Sequence, residues 1–410
     1  MPHKSNLRIR RLEDFEVLPA LTGVLFVLTF VIKAFTDGPY VRGEISASVA
    51  YMKYATAAFA CCFAFVLLVK RKRHIFVQES RKLASIVVLF TVMSVLMQIA
   101  AGHIGSSTYI ELIKLAMPMI MAFCILNALD SNQIYICMIA VLVFSFAGYL
   151  VDLAANGVSL SAVASADYST SESETESSGF AEISLMLALY FCYVRRGKWA
   201  MMWSVAFCIL TFKRLSMLIA PLALVISLFV PKLMNRQLPR QLVICFKVIT
   251  IIGAGLWCWI LLPQQEPLFI RVFGTTPFDF TLGRSSSLRF LLTSDFHSYG
   301  FGSANAVIDS LFGAPFEMDL AKIAIELTPL TMVAFVWLFW DLSADIFWST
   351  LIIGYYMLNM ITSDSLTSNF SFTLAYIVIG IVNCQSYGRP TSRTISAVNL
   401  ECSQGGRYGI

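Results

Sequence analysis

Charged residues are scarce in this sequence of 410 amino acids. Lys, Arg, Asp and Glu together account for 13% of the chain, whereas hydrophobic residues account for 58%. Because a typical soluble domain contains about 25% charged residues, the composition excludes an ordinary soluble protein. It favours a chain that spends most of its length in a lipid bilayer, and it gives no reason to expect nucleic acid as a partner.

Several chemistry-bearing motifs are also missing. The chain has no GxxxxGK[ST], HExxH or GxSxG sequence, no CxxC pair and no Cys/His spacing typical of zinc sites. Most of its ten cysteines fall in apolar stretches, so we expect free, hydrophobic thiols rather than disulfides. We therefore expect no metal, no cofactor and no direct use of a nucleotide.

What the chain does contain is a long series of apolar stretches. A bilayer-spanning helix needs about 20 residues, and on this basis we predict an all-α, polytopic membrane protein with twelve transmembrane helices. We expect one helical domain over residues 1–384, with a retained first helix, and a disordered cytoplasmic tail over 385–410. The predicted spans are at about 17–35, 49–69, 84–101, 110–128, 134–155, 180–194, 199–213, 216–231, 243–262, 320–340, 345–361 and 370–384.

The basic residues predict the orientation of these helices. Lys and Arg concentrate in short cytoplasmic segments of membrane proteins, and here they cluster in alternate connections, which would place both termini inside. Two longer segments then lie outside. Residues 156–179 are Ser-rich and acidic, typical of a solvated loop, whereas 263–319 carries apolar groups at helical spacing, which predicts an ordered segment. The basic clusters fall at about 4–11, 70–82, 195–198, 232–240 and 389–407.

A few cations lie on the side where the orientation rule disfavours them. Lys213 and Arg214 separate two apolar runs, and Arg284 and Arg289 lie in the long outer segment. Contact with lipid headgroups could account for Lys213. It does not readily account for Arg214 as well, because adjacent residues cannot face the same side of a helix. Guanidinium groups bind phosphates bidentately and remain charged at biological pH. We therefore predict that these four residues bind an anionic, membrane-borne substrate.

Acidic residues and one histidine near the same side are candidates for proton transfer. Glu317 and Asp319 immediately precede an apolar run, where a carboxylate would act as a base or stabilise a helix N-terminus. His297 is the histidine of the long segment and a reserve base. Further along, Lys322 and Glu326 are four residues apart, a spacing at which they would pair on one helix face.

Four stretches of the chain resemble, in order, a known family. They read ESSGFAEISLMLALYFCYVRRGK, ILTFKRLSML, TLGRSSSLRFLL followed by GFGS, and FEMDLAKIAIEL. Together they resemble the bacterial superfamily of Wzy-type polysaccharide polymerases and O-antigen ligases over about residues 176–340. The N-terminal half is similar in hydropathy only.

The resemblance implies a function. Members transfer oligosaccharides from undecaprenyl diphosphate at the periplasmic face of the inner membrane, without a metal. By resemblance, Arg214 is the arginine after the short periplasmic turn and Arg284 the arginine of a Gly-Arg motif. Arg289 to Gly300 fits an Arg-x10-Gly pattern. The implied activity is a polymerase that extends a lipid-linked glycan, with a flippase and a chain-length regulator as partners.

Two departures from the family pattern matter. Ligases tend to carry a histidine where this chain has Phe316-Glu317-Met318-Asp319, so the sequence favours a polymerase and offers Glu317 or Asp319 as the activating group. Thr328 stands where glycine is common after Glu-Leu. The alternatives are a ligase that transfers the glycan to lipid A core or protein, and, from another class, a lipid-linked glycan flippase or an anion transporter.

Overall fold

A computed structural model describes residues 5–69, 74–157, 178–313, 315–363, 365–366 and 368–387. Within these ranges the chain is all-helical, with eighteen α-helices and two short 3₁₀ turns. The first ten helices are α1 Ser5–Val41, α2 Ala47–Leu68, α3 Val77–Ala101, α4 Ser106–Ala128, α5 Ser131–Ala155, α6 Ser178–Val194, α7 Lys198–Leu210, α8 Arg214–Phe229, α9 Pro231–Met234 and α10 Arg240–Ile260. The remaining eight are α11 Glu266–Phe273, α12 Pro277–Thr281, α13 Arg284–Thr293, α14 Ser303–Phe312, α15 Asp319–Glu326, α16 Pro329–Trp340, α17 Phe347–Thr362 and α18 Asn369–Tyr387.

Six helices are long and apolar enough to cross a membrane, which identifies an α-helical membrane protein. These are α1 from Val17, α2, α3, α4, α5 and α10. Helices α6, α7, α8, α16 and α18 are apolar but shorter. All twelve stretches predicted from the sequence coincide with helices, although a crossing by each shorter helix remains a prediction.

The centre of the bundle is formed by α6 and α18. Nearly every side chain of α6 from Ala181 to Tyr193 is buried, and α18 is buried almost throughout. A helix that protein surrounds on all sides needs apolar side chains around its whole circumference, which α6 and α18 largely provide. Helix α18 packs against α4 and α6, and α1 packs against α2 and α5 on one flank. The chain turns between α4 and α5 at Asp130, whose carboxylate forms a capping box with Gln133 at the start of α5.

The predicted span at 320–340 is broken into α15 and α16. Helix α15 ends at Glu326, and α16 begins at Pro329, whose missing N–H suits the first helical position. Between them Thr328 adopts φ 152° and ψ 157°, a backbone region that glycine occupies far more readily than threonine. Hydropathy alone does not reveal this break, because both helices are apolar.

The long segment 263–319 is folded, as its apolar spacing predicted. Helices α11 to α14 lie within it, and their apolar residues form a core distinct from that of the bundle. This core includes Phe269, Leu288, Leu291, Ile308 and Phe316, and it continues onto the end of α10 through Leu261. The segment is therefore anchored to one end of the bundle, called the Arg284 end below.

The opposite end, called the Asp341 end below, gathers the connection between α8 and α10 and the turn after α16. The backbone N–H of Leu238 donates to the carbonyl of Asp345 at 2.7 Å, and that of Phe347 donates to Arg236 at 2.9 Å. Most of segment 156–179 and the predicted tail from Gln385 lie outside the described residues, although α18 continues to Tyr387.

Candidate functional site

The two adjacent cations at the turn between α7 and α8 face different surroundings. Helix α7 ends at Leu210, and Phe212 takes a left-handed backbone conformation that turns the chain into α8. Lys213 is buried, whereas Arg214, the first residue of α8, is exposed. The two side chains therefore have different environments, but lipid-headgroup contact does not account for Lys213, because that side chain is the buried one.

Lys213 points to a buried carboxylate on the central helix. Its Nζ lies 3.4 Å from Oε1 of Glu182, which is itself only 2% exposed. Glu182 also accepts hydrogen bonds from Asn359 Nδ2 at 2.9 Å and from Ser371 Oγ at 2.9 Å. A buried carboxylate requires such partners because desolvation would otherwise favour its neutral form. This arrangement fixes the start of α8 and with it the position of Arg214.

Ser365 connects Glu182 to a second buried carboxylate. The hydroxyl of Ser365 donates to Glu182 Oε1 at 3.2 Å, and its backbone N–H donates to Asp319 Oδ2 at 2.7 Å. The N–H of Leu366 donates to the same oxygen of Asp319, also at 2.7 Å. Asp319 is fully buried, so its carboxylate holds the turn between α17 and α18 against the start of α15.

Two residues before Asp319, Glu317 forms an ion pair with Arg284. Arg284 Nε lies 2.6 Å from Glu317 Oε2, and one terminal guanidinium nitrogen lies 2.5 Å from it. Arg284 is the first residue of α13, and Gly283 before it has φ +83°, which glycine adopts without strain. Both side chains of the pair are partly exposed, at 28% and 37%. Arg284, which was predicted to bind phosphate, and Glu317, which was predicted to act as a base, thus lie side by side and remain accessible to solvent.

Arg289 points away from this pair. Its Nε donates to the carbonyl of Leu261 at 2.9 Å, and a terminal nitrogen lies 3.0 Å from Glu266 Oε2. Five positions along a helix correspond to roughly 140° of rotation, which explains why Arg284 and Arg289 have different partners. The contacts of Arg289 join α13 to α10 and α11, so its predicted role toward a diphosphate receives no added support from its position.

His297 lies on the surface of the long segment. Its side chain is exposed, and Nδ1 lies 2.9 Å from the carbonyl oxygen of Asp295, two residues earlier. The Arg284–Glu317 ion pair and the buried carboxylates of Asp319 and Glu182 involve other parts of the chain, and none of the contacts described for them includes His297. The geometry therefore favours Glu317 over His297 as the base, with Asp319 buried behind it.

Gly300 and Gly302 approach other helices closely. A Cβ on Gly300 would lie 2.9 Å from the Cβ of Ser94 on α3, and one on Gly302 would lie 2.7 Å from the Cγ of Glu111 on α4. Both glycines also have positive φ angles, +118° and +96°. The Gly-x-Gly step therefore forms a tight turn packed closely onto α3 and α4.

Lys322 and Glu326 interact electrostatically, and each also contacts a partner on another element. Lys322 Nζ lies 3.6 Å from Glu111 Oε2 and 4.8 Å from the centre of the Phe301 ring. The Glu326 carboxylate accepts hydrogen bonds from the N–H groups of Gly302 and Ala304 at the start of α14. These buried charges attach the long segment to α4 and α15, a structural role that sequence spacing did not reveal.

An apolar cavity of about 340 Å³ lies beside α8. Its walls come from α8, α10, α16 and α17, and a Cβ on Gly354 would lie 3.5 Å from the Trp340 ring. Near the start of α8, Ser216 Oγ lies 3.1 Å from the hydroxyl of Tyr355, which also lines the cavity. Ile219, another lining residue, is five positions after Arg214, about 7 Å along the helix. The cavity thus begins roughly one helical turn and a half below Arg214.

Of the residues that contact Glu182, several were not identified from the sequence. Glu182 was visible as a lone carboxylate within an apolar stretch, and a charge in such a position generally has an interior partner. Asn359, Ser365 and Ser371 carried no comparable signal, because amide and hydroxyl residues are common near helix ends. Their partnership with Glu182 depends on contacts between distant parts of the chain.

Comparisons with models of known protein families, with curated proteins and with solved structures found no match for this chain.

Proposed function

We propose that this protein is a membrane glycosyltransferase of the polysaccharide-polymerase type. It transfers an oligosaccharide from undecaprenyl diphosphate to the end of another lipid-linked glycan. It lies in the bacterial inner membrane with twelve crossings, both termini in the cytoplasm and the Arg284 end facing the periplasm. The chemistry needs no metal because guanidinium groups supply the positive charge at the leaving phosphates.

The observation that carries this proposal is the convergence of distant charged residues at one end of the bundle. Arg284 contacts Glu317, which is followed by Asp319; Asp319 shares Ser365 with Glu182, and Glu182 contacts Lys213 beside Arg214. These residues come from α6, α8, α13, α15 and the turn before α18. A site of mixed charge built from so many elements is typical of a functional centre rather than of isolated topology signals.

The apolar cavity beside α8 supports a substrate with a hydrocarbon tail. It is lined almost wholly by apolar side chains, among them Phe246, Leu351 and Leu358. Arg214 lies at the start of the helix that forms one wall. A polyprenyl chain in this cavity would therefore carry its diphosphate toward Arg214, so the tail and head of one molecule would both be accommodated.

The charge distribution supports the orientation. Exposed basic residues at the Asp341 end include Arg195, Arg196, Lys198, Lys232 and Arg236. Lys and Arg in short connections favour the cytoplasmic side. The Arg284 end, with its long folded segment, is then periplasmic, where flipped lipid-linked glycans are found.

The proposed reaction uses both members of the Arg284–Glu317 pair. The acceptor hydroxyl oxygen attacks the anomeric carbon of the donor, and the bond from that carbon to the diphosphate oxygen breaks. Arg284 and Arg214 stabilise the negative charge that develops on the leaving diphosphate. Glu317 accepts the proton of the acceptor hydroxyl as the new glycosidic bond forms.

The direct test replaces the two arginines one at a time. Arg284→Ala and Arg214→Ala should abolish polymer in a complemented deletion strain, and Arg284→Lys should not restore it, because an ammonium group cannot bind phosphate bidentately. Arg271→Ala is the matched control, since Arg271 is an exposed arginine of the same segment. Glycan length is read on gels, with protein abundance measured by immunoblot.

Full-length polymer from Arg284→Ala at normal abundance would exclude the phosphate-binding role. Transfer of single or preformed glycans to lipid A core or protein, without chain extension, would identify a ligase instead. Cysteine-accessibility labelling tests the orientation: reagent added from the periplasm should label cysteines placed in 263–319 and leave those placed in 195–198 unlabelled.

A further inference from the structure

A polar cavity of about 270 Å³ lies at the Asp341 end of the bundle. The proposed catalytic cluster lies at the opposite end. Its walls come from α3, α10, α16 and the turn after α16. Unlike the apolar cavity beside α8, it is lined largely by charged side chains. The charged residues are Lys82, Arg240, Lys247, Asp341 and Asp345, and Trp337 forms part of the wall.

The cations in this cavity outnumber the carboxylates, three to two. The Lys247 ammonium group contacts the carboxylate of Asp341 and lies 4.3 Å from the centre of the Trp337 ring. Lys82, by contrast, donates to the backbone carbonyl of Asp341 at 2.5 Å, so this bond does not offset its charge. Arg240 begins α10, where the helix dipole adds further positive potential.

The walls of the cavity are held in place before any ligand binds. The backbone bonds from Leu238 to Asp345 and from Phe347 to Arg236 join the chain before α10 to the turn after α16. Lys247 is almost fully buried, with its side chain 5% exposed, so the cavity is not merely a group of flexible surface lysines. A preformed cationic cavity binds an anion with less loss of conformational entropy than a mobile surface does.

An exposed apolar stripe begins at the same cavity. Ile244 lines the cavity and is exposed, and Val248, Ile252 and Leu256 follow it at intervals of four residues along α10. Residues four apart lie on one face of a helix. The stripe therefore runs from the cavity toward the middle of the predicted membrane, along the path that an acyl chain of a bound lipid would take.

We propose that this cavity binds the phosphate group of an anionic phospholipid of the cytoplasmic leaflet, with one acyl chain along the Ile244 stripe. Basic cavities between helices on the cytoplasmic side suit anionic lipid headgroups. The bound lipid joins α3, α10 and α16, and α10 and α16 lead toward the proposed catalytic cluster. The assignment to the cytoplasmic leaflet rests on the proposed orientation, whereas anionic lipid binding itself does not depend on glycosyltransferase activity.

The test measures lipid binding to the purified, delipidated full-length protein by native mass spectrometry and by thermal unfolding in detergent. Phosphatidylglycerol should bind with retained adducts and raise the Tm, whereas phosphatidylcholine should do neither. Arg240→Gln and Lys82→Gln, which keep polar side chains, should each lower phosphatidylglycerol binding at least five-fold. Lys198→Gln is the matched control, since Lys198 is an exposed cation that also begins a helix, at the same end of the bundle.

Inorganic phosphate serves as a second probe to separate a lipid from a free anion. Val248→Asn should weaken phosphatidylglycerol binding and leave any phosphate effect unchanged, because it alters only the acyl path. Equal stabilisation by phosphate and phosphatidylglycerol, with no effect of Val248→Asn, would overturn the lipid assignment. Equal binding of phosphatidylcholine, or unchanged binding to both cavity variants, would overturn the site itself.

Discussion

Arg284 contacts Glu317 through a single carboxylate oxygen. Both Nε and a terminal nitrogen of the guanidinium group approach Oε2, at 2.6 and 2.5 Å. Oε1 of Glu317 takes part in neither of these two contacts. The geometry allows Glu317 to orient Arg284 and still present an oxygen to an acceptor hydroxyl. The phosphate-binding role predicted for Arg284 and the role as a base predicted for Glu317 are therefore compatible.

Replacing Glu317 by Gln distinguishes a base from a residue that only orients Arg284. The amide oxygen still accepts hydrogen bonds from Arg284, but the group no longer accepts a proton. Because general bases contribute about 10²–10⁴-fold to rate, we expect Glu317→Gln to lower kcat at least 100-fold with little change in KM for the donor. The measurement is turnover of lipid-linked repeat units in proteoliposomes.

Glu266→Gln is the control for this experiment, because Glu266 has the same relation to Arg289 and should be replaceable with little effect on kcat. A Glu317→Gln protein with normal kcat would disprove the assignment and direct attention to Asp319 and His297.

The buried Lys213–Glu182 pair should behave as a coupled unit. Removing one partner of a buried ion pair typically costs about 3–5 kcal/mol, because the other charge is left uncompensated. We expect Lys213→Met and Glu182→Gln each to lower the Tm in detergent, and the double variant to be more stable than the sum of the single effects predicts. Strict additivity would show that the two side chains, 3.4 Å apart in the structure, do not interact energetically.

Thr328→Gly should stabilise the protein. The observed φ and ψ of Thr328 belong to a region that costs a non-glycine residue about 1–3 kcal/mol. Its hydroxyl accepts a hydrogen bond from the N–H of Thr331, but exchanging such a cap for Gly costs only a few tenths of a kcal/mol. The Tm should rise for Thr328→Gly and fall for Thr328→Ala, which loses the cap and keeps the strain. The reverse order would show that Thr328 is not strained.

Gly302→Ala should release the long segment from α4. The added methyl group would lie 2.7 Å from Glu111 Cγ, and the φ angle of +96° would be strained as well. Gly313→Ala isolates the second effect, because Gly313 has φ +70° with no heavy atom within 4 Å of the added Cβ. We expect limited proteolysis to cut near residues 294–304 much faster in Gly302→Ala than in Gly313→Ala. Equal rates would mean that the close approach to Glu111 has no effect.

The sequence by itself determined where the helices lie and which cations were exceptional. Hydropathy located helices at all twelve predicted stretches, because an apolar run has few alternatives to a buried or lipid-facing helix. Apolar spacing likewise predicted that 263–319 is ordered. Arg214 and Arg284 could also be identified as candidates from the sequence, because charged residues are rare in so apolar a chain. Hydropathy did not reveal that α15 and α16 are separate helices, because that break depends on the backbone at Thr328.

Only the tertiary structure decided which polar groups meet. Glu182 and Asn359 are 177 residues apart and Asp319 and Ser365 are 46 apart, so no local pattern records their contacts. Lys322 likewise lies near Glu111, and Glu326 accepts a hydrogen bond from the start of α14, two contacts that helical spacing did not predict. Local periodicity specifies the helices, whereas the pairing of buried charges is specified by how those helices pack.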